Sequence, residues 1–378
     1  MNFYRLFTLC LITFYFSGTT ILEAAYSNPS IRVLLFKTSS PVILQSLSSL
    51  NVNNGQVSIH DQHRVEVRYY NNRKLIINQK SIHKRFIVAT QGPIILKQKG
   101  RKDFSRYWGK IELHPFSGGM YVINVLPMES YLEGVLNAEI STKWDLDVVK
   151  AQAIIARTFA LFKRQERGNK LWHVTAGHGD QVYLGLNIAD ARGRYAIKKT
   201  HGMAIHYKGK LAQTFYHSNC GGITEDPSAI WNNSMPYLRV RNVPYGQQDP
   251  RYYWSAKLSQ QDLLKILRRS GQPINSFKKL RISSWTTSNR VATLEFRGNG
   301  SVKLLAKDFR RLAGYQIVQS LLFDITEIPD GYLFEGQGNG HGVGLCQWAA
   351  KEMADLGYTY EKILKFFYFD IQIRSYRG

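Results

Sequence analysis

Cysteine, acidic side chains and long apolar runs are all scarce in this 378-residue chain. Three cysteines exclude a disulfide-built scaffold and a multi-zinc protein. Asp and Glu number 27 against 50 Lys and Arg, which leaves a formal net charge of +23. Such a balance predicts a polyanionic partner: nucleic acid, an anionic lipid surface or an acidic glycan. The longest strongly apolar run, 6–16, is shorter than the roughly 20 residues that a bilayer-spanning helix needs. Internal repeats and low-complexity linkers are absent from the sequence as well. What is present is a globular composition, 44% apolar and 13% aromatic, which excludes general disorder. The length allows one large domain or two ordinary ones.

The N-terminus narrows the partner. One positive charge at Arg5, a short apolar run and the small pair Ala24-Ala25 read as a secretory signal over 1–25. An uncleaved anchor would leave the same domain outside the membrane. Either way the protein is expected to be exported, to the periplasm or cell envelope, with no transmembrane segment beyond the signal. An exported protein rarely meets chromosomal DNA, and no nucleic-acid recognition motif is found, so nucleic acid is not an expected partner. The basic charge points to envelope polymers. Loss of 1–25 removes Arg5 and Glu23 together, so the charge is unchanged. It also removes Cys10, leaving Cys220 and Cys346, whose state as disulfide, free thiols or metal ligands the sequence leaves open.

Residues 26–110 read as strand-rich. Ile31-Arg-Val-Leu-Leu-Phe, Val65-Glu-Val-Arg-Tyr-Tyr and Lys74-Leu-Ile-Ile-Asn are β-branched and aromatic runs bounded by turn signals at 53–55 and 71–72. Gly119-Met-Tyr-Val-Ile-Asn-Val continues the pattern until Pro127. Helices are expected near 129–139 and 146–164; the second has apolar residues at 148, 151, 155, 159 and 162, one face at helical spacing. Further strands are expected at 203–216 and through 278–335, with short helices near 262–269, 346–353 and 360–367. The expected fold class is α+β: a strand-rich N-terminal region over 26–110, then a single unit of mixed strands with a central helical segment over 111–378.

Three segments concentrate chemistry. The first holds Glu129, Glu133 and Glu139. An acid at a helix start is favoured by the macrodipole, which accounts for Glu129, and Glu133 suits a solvated face. Glu139 falls where the helix should end, against the negative end of the dipole, so it needs another reason to be there. The second segment surrounds Arg157 with apolar neighbours; it must find a carboxylate within the core or orient a substrate group. The third pairs Tyr216-His-Ser-Asn-Cys-Gly-Gly with Gly340-His-Gly-Val-Gly-Leu-Cys-Gln-Trp, each setting a histidine and a cysteine beside glycines. His217, Cys220, His341 and Cys346 have the chemistry of zinc ligands, but nothing in the sequence brings them together, and no metal or other cofactor is expected. The glycine run 336–344 lacks the Lys-Ser or Lys-Thr of a phosphate loop.

The motifs Tyr131-Leu-Glu-Gly-Val, Ala138-Glu-Ile, Lys150-Ala-Gln-Ala-Ile-Ile-Ala-Arg-Thr, Asp180-Gln-Val-Tyr-Leu-Gly, Ser218-Asn-Cys-Gly-Gly-Ile-Thr-Glu and Gly340-His-Gly-Val-Gly-Leu-Cys-Gln-Trp resemble the SpoIID/LytB family, in that family's order. The resemblance runs from about residue 111 to the end. It implies a cell-wall protein acting on peptidoglycan, either a lytic transglycosylase that cuts peptide-free glycan strands or an enhancer of an N-acetylmuramoyl-L-alanine amidase. Carried over residue by residue, Glu139 is the catalytic acid and Arg157 the arginine of the following helix. Gln181, Tyr183, His217, Ser218, Cys220, His341 and Gln347 are placed around the substrate cleft. Tyr183, Trp231 and Tyr237 either stack on sugar faces or pack in the core. Glu225 and Asp226 are the candidates for a second carboxylate, should the reaction be a hydrolysis. Some relatives carry a His/Cys metal site whose last cysteine directly precedes the motif matching Gln181-Val-Tyr; here that position is Asp180, so that zinc site is expected to be missing.

Overall fold

The computed structural model describes residues 28–377 apart from 54–57, 71–73, 78, 79, 83, 84, 101, 102, 178 and 273. The expected signal over 1–25 lies outside the described residues, as do parts of the two turn signals. Among the described residues no helix is long and apolar enough to cross a membrane.

The alternating runs of the first third form strands because one face of each can be buried. Val42, Leu44, Leu50, Val52, Val65 and Val67 all point into the core and are almost wholly buried. Among the described residues they belong to an eleven-stranded sheet. Its main path runs Val174–Thr175, Ser30–Thr38, Gly119–Pro127, Lys110–Phe116, Phe86–Ala89, Val42–Asn53, Ser58–Tyr69, Leu75–Ile77 and Lys80–Ile82. Val42–Asn53 shifts register between Gln45 and Leu50. Its first half therefore pairs with Ile94–Gln98 and its last three residues with Phe86–Ala89.

Helices follow the sheet: α1 Met128–Glu133, α2 Leu136–Glu139 and α3 Leu146–Arg167. The helix expected over 129–139 is thus two pieces. Gly134 caps the end of the first and leaves room for the Tyr183 ring; a Cβ there would sit 2.4 Å from a ring carbon. Helix α3 starts on the Asp145 carboxylate, which accepts from the Asp147 N–H at 2.8 Å, and ends at Gly168. From Val148 to Leu161 it is buried at every position except Lys150. A helix enclosed on all faces is the axis of its core rather than a surface stripe. Against it pack α4 Ala191–Lys199, strand Met203–Tyr207, α8 Gln347–Asp355 and α9 Tyr360–Phe367.

A second, separate core lies between these pieces in sequence. Two three-stranded antiparallel sheets build it, one of Tyr253–Ser259, Gly331–Gln337 and Phe323–Ile328, the other of Lys279–Trp285, Val291–Arg297 and Ser301–Leu305. Helices α6 Gln260–Arg269 and α7 Ala306–Ala313 cover them, and Leu263, Phe296, Phe309 and Phe334 fill the centre. Helix α7 falls inside the stretch expected to be strand. The chain leaves for this core after Tyr252 and returns at Gly338, whose N–H meets the Tyr252 carbonyl at 2.7 Å; beside that crossing Asn219 and Asn339 exchange backbone hydrogen bonds of 2.9 and 2.8 Å. The whole is α+β, as the sequence implies.

Candidate functional site

Glu139 closes α2, after which Ile140 turns extended. Its half-buried carboxylate accepts the Val182 N–H at 2.9 Å and is hydrogen-bonded by the Tyr216 hydroxyl. The Tyr216 oxygen in turn accepts from Gln181 Nε2 at 3.2 Å, and Gln181 Oε1 accepts from the Tyr131 hydroxyl at 3.1 Å. The amide of Gln181 is therefore fixed in orientation. Desolvation, then the charge of Glu139, drive the titration of Tyr131 and Tyr216 well above the usual phenol range. Both remain proton donors at any working pH. On the other side Gln347 Nε2 donates to the Glu139 carbonyl at 3.3 Å. Four segments far apart in sequence, 131–139, 181–183, 216 and 347, thus meet around Glu139, two of them at its carboxylate and one at its carbonyl.

Several residues expected to line a cleft are instead buried or bonded within the protein. Arg157 is wholly buried and forms a two-point pair with Glu129, at 2.8 and 2.6 Å, plus a bond to the Met203 carbonyl. The carboxylate it needed is Glu129, and Arg157 has no surface to offer a substrate. Tyr183 is 3% exposed, stacks on Tyr131 with centroids 5.1 Å apart, and donates to Asn124 Oδ1 at 2.7 Å. Tyr237 is buried with its hydroxyl on the Gln213 backbone. For both rings an internal hydrogen-bond partner decides for the core. Trp231 does keep an exposed face, 42%, while stacking on Phe215 at 4.3 Å. Glu225 is buried, accepting from Thr286 and its neighbour's N–H, and Asp226 caps α5 Pro227–Trp231. Ser218 receives the Trp348 N–H on its carbonyl. Two groups the sequence reading did not single out, Tyr131 and Tyr216, do the most to orient Glu139 and Gln181. Both lie inside the motif segments, so hydroxyl-bearing positions next to the acid were the available signal.

The two glycine segments are joined in space. Strand Tyr216–His217 pairs in parallel with Leu345–Cys346, His217 opposite Cys346. Glycine is required on the second segment: Gly344 has φ +76 and its missing Cβ would lie 2.1 Å from the Phe215 carbonyl. Gly342, at φ +83, lies against the guanidinium of Arg290. That arginine comes from the second core, is 1% exposed, and donates to the Cys220 and Ile223 carbonyls at 2.6 and 2.7 Å. His217, Cys220 and Cys346 are all buried, with their ligand-type atoms within 4.8 Å of one another. His217 is driven well below its usual range by burial and by the nearby His341 and Arg290. His341 is pushed down to about 3 by desolvation and the charges of Arg310 and Arg290.

At the position where some relatives place a zinc cysteine, the residues do not fit a metal. Asp180 there accepts from the Thr175 N–H and hydroxyl, both at 2.8 Å, and pairs with Arg167 at 3.3 Å. An ion pair and a turn hold the segment that a metal would otherwise hold.

A cavity of about 780 Å³ opens on the second core, lined by Tyr253, Trp285, Asn289, Asp324 and Glu335 among others. It shares no lining residue with the Glu139 cluster.

Comparison with known proteins follows this division. A family model described as stage II sporulation protein, SpoIID, matches residues 117–207. A second, a domain of unknown function designated DUF8618, matches 232–344, the stretch that holds the second core. An uncharacterized protein of Brachyspira hyodysenteriae is 31% identical over 306 residues, 80% of each chain. The amidase enhancer of Bacillus subtilis is 28% identical over 65% of this chain, which spans 40% of that protein's length. Stage II sporulation protein D of Bacillus amyloliquefaciens is 27% identical over 66% of this chain and 74% of its own. The family model over 117–207, a stretch that takes in Glu139, and the relatives named as stage II sporulation protein D and amidase enhancer lead to one conclusion: the chain belongs to the SpoIID family.

Proposed function

We propose that this protein is an exported lytic transglycosylase that cuts the N-acetylmuramic acid–N-acetylglucosamine bond of peptide-free peptidoglycan strands, with Glu139 as acid and then base. The observation that carries the reading is the convergence of four distant segments around Glu139, with Val182 and Tyr216 on its carboxylate, Gln181 and Tyr131 behind them and Gln347 on its carbonyl. Glu139 protonates the glycosidic oxygen as the bond to C1 breaks. The 6-hydroxyl of the muramic residue then closes on C1 and returns its proton to Glu139, leaving a 1,6-anhydro end. No water is activated, so one carboxyl suffices, whereas hydrolysis needs a second. The two candidates for a second, Glu225 and Asp226, are both engaged in holding loops and a helix start. Removal of the peptides frees the lactyl carboxylates and makes the strand a polyanion, which suits a +23 protein at separations near the screening length of about 8–10 Å.

A second reading is favoured by one observation, the name of the Bacillus subtilis relative: a glycan-binding enhancer of a cell-wall amidase that does not itself cut. Incubation with peptide-free strands and mass spectrometry of the ends separates the two. The enzyme yields anhydro ends, and Glu139→Gln lowers their formation by about 10²–10⁴-fold while leaving thermal unfolding unchanged. Binding without new ends supports the enhancer. Reducing ends that carry solvent oxygen overturn the single-carboxyl mechanism.

A further inference from the structure

We propose that His217, Cys220 and Cys346 bind a single thiophilic metal ion, Zn²⁺ or Cu⁺, which clasps the two glycine-rich segments behind the Glu139 cluster. The three ligand atoms lie within 4.8 Å of one another and all three residues are buried. In a formed tetrahedral zinc site two sulfurs, or a sulfur and a nitrogen, are separated by about 3.5–3.8 Å, so closure needs shifts of about 1 Å.

The histidine is already prepared as a ligand. His217 Nδ1 lies 3.1 Å from the Val343 carbonyl, and a carbonyl can only accept, so Nδ1 carries the proton. Nε2 is then a bare lone pair; it is buried and has no hydrogen-bond partner. An unmet buried acceptor costs about 1–3 kcal/mol, and an ion between it and the sulfurs removes that cost. A histidine that donates its other N–H to a backbone carbonyl is the usual orientation at a metal.

The two sulfurs face each other across the same pocket. Cys346 is the residue before α8, and its Sγ accepts the N–H groups of Cys220, at 3.2 Å, and of Ala349. Cys220 sulfur accepts the Gly222 N–H. Cys346 is a thiol in the metal-free chain, its titration driven up by burial and its hydrogen bond with Cys220, and it faces the Ser218 carbonyl at 3.9 Å, so metal binding would release its proton. His341 is not a fourth ligand: its Nδ1 accepts the Val343 N–H at 3.0 Å, and its other nitrogen donates to the Tyr216 carbonyl. Three protein ligands suit Zn²⁺ with one further small ligand, or three-coordinate Cu⁺. With two thiolates the zinc site is neutral, and the copper site carries one negative charge opposite the buried Arg290 guanidinium. The rival is a Cys220–Cys346 disulfide, which joins the same segments but leaves His217 Nε2 unmet.

The inference does not rest on the glycan-cutting reading, and its test involves no cleavage. The full chain, reduced and freed of metal, is titrated with Co²⁺ and Zn²⁺ and, without oxygen, with Cu⁺ against competing chelators. One equivalent binds, cobalt shows a thiolate charge-transfer band, and both cysteines are shielded from alkylation. Retention of zinc or of copper through chelator competition identifies the ion. Cys220→Ser and His217→Gln each weaken binding by at least the about 10–100-fold that loss of an outer-shell partner costs. Should those variants misfold, native mass spectrometry of the wild-type chain decides. A mass greater by one metal ion supports the clasp; a metal-free chain lighter by two hydrogens, or metal binding that leaves both thiols reactive, overturns it.

Discussion

Among the described residues Arg157 and Arg290 are the two bulkiest fully buried side chains, and they are satisfied in opposite ways. Arg157, in the first core, meets a carboxylate: Glu129 takes two of its N–H groups, at 2.8 and 2.6 Å. Arg290, reaching out of the second core, meets dipoles: the Cys220 and Ile223 carbonyls and the Ser288 hydroxyl, with its Nε left without a partner. The first arrangement cancels charge and stitches α1 to α3 and to strand Met203–Tyr207. The second binds two loops together while its positive field persists beside Cys220 and Cys346. A buried arginine is thus either a closed ion pair or a local source of potential, and which it is depends on the partner, not on the depth.

Three substitutions or conditions put that contrast to the test. Arg157→Met should cost the most, about 3–5 kcal/mol in chemical denaturation, because Glu129 is left charged and nearly enclosed. Adding Glu129→Gln should recover most of that loss; a double variant as weak as the single would show that the pair matters for packing rather than charge. Arg290→Met should cost less, about 1–3 kcal/mol, since the nearby buried Glu225 keeps its own hydrogen bonds from Thr286 and the Asp226 N–H, and what loses donors is two carbonyls and a hydroxyl. Equal losses for the two arginines would erase the distinction. The smallest effect concerns a third, intermediate arginine, Arg32, which pairs with Glu112 at 2.7 Å and whose backbone N–H donates to His173. Burial alone would raise Glu112, but hydrogen bonds from His114 and Arg32 outweigh it and bring it down to about 2. His173 is lowered to about 4, chiefly by burial. Both groups bind protons more readily when unfolded, so stability is full at neutral pH. It is expected to fall first between pH 6.5 and 4 through His173, then between 4.5 and 2 through Glu112, as followed by melting temperature across pH. A melting temperature flat over that range would sink the account.

How much of this was readable beforehand depended on whether the cause was local. Helix α9, Tyr360–Phe367, and the long α3 follow from spacing alone, as do strands Ser30–Thr38 and Gly119–Pro127. The need for glycine at the break, Gly134, does not, because it is set by a ring 49 residues further on. Helix α7 was hidden because its apolar side chains, Phe309 and Leu312, sit among strands that look alike in composition. The second core carries no linker to announce it. At the site, the motif order singles out Glu139, but what orients it, Tyr216 and Val182, becomes visible only when distant segments meet. The choice between pairing and binding for Arg157, and between stacking and packing for Tyr183 and Tyr237, turns on partners that spacing does not reveal.

The hydrogen bond from Gly338 to Tyr252 marks a crossing that has a bearing on how such a chain can change. Residues 253–337 depart and come back through that narrow doorway. What lies beyond it can lengthen or shrink in its outer loops, provided that Arg290 stays in place to hold the Cys220 and Ile223 carbonyls. Variation among relatives in this stretch should therefore be tolerated in length far more than in the few residues that form the jambs.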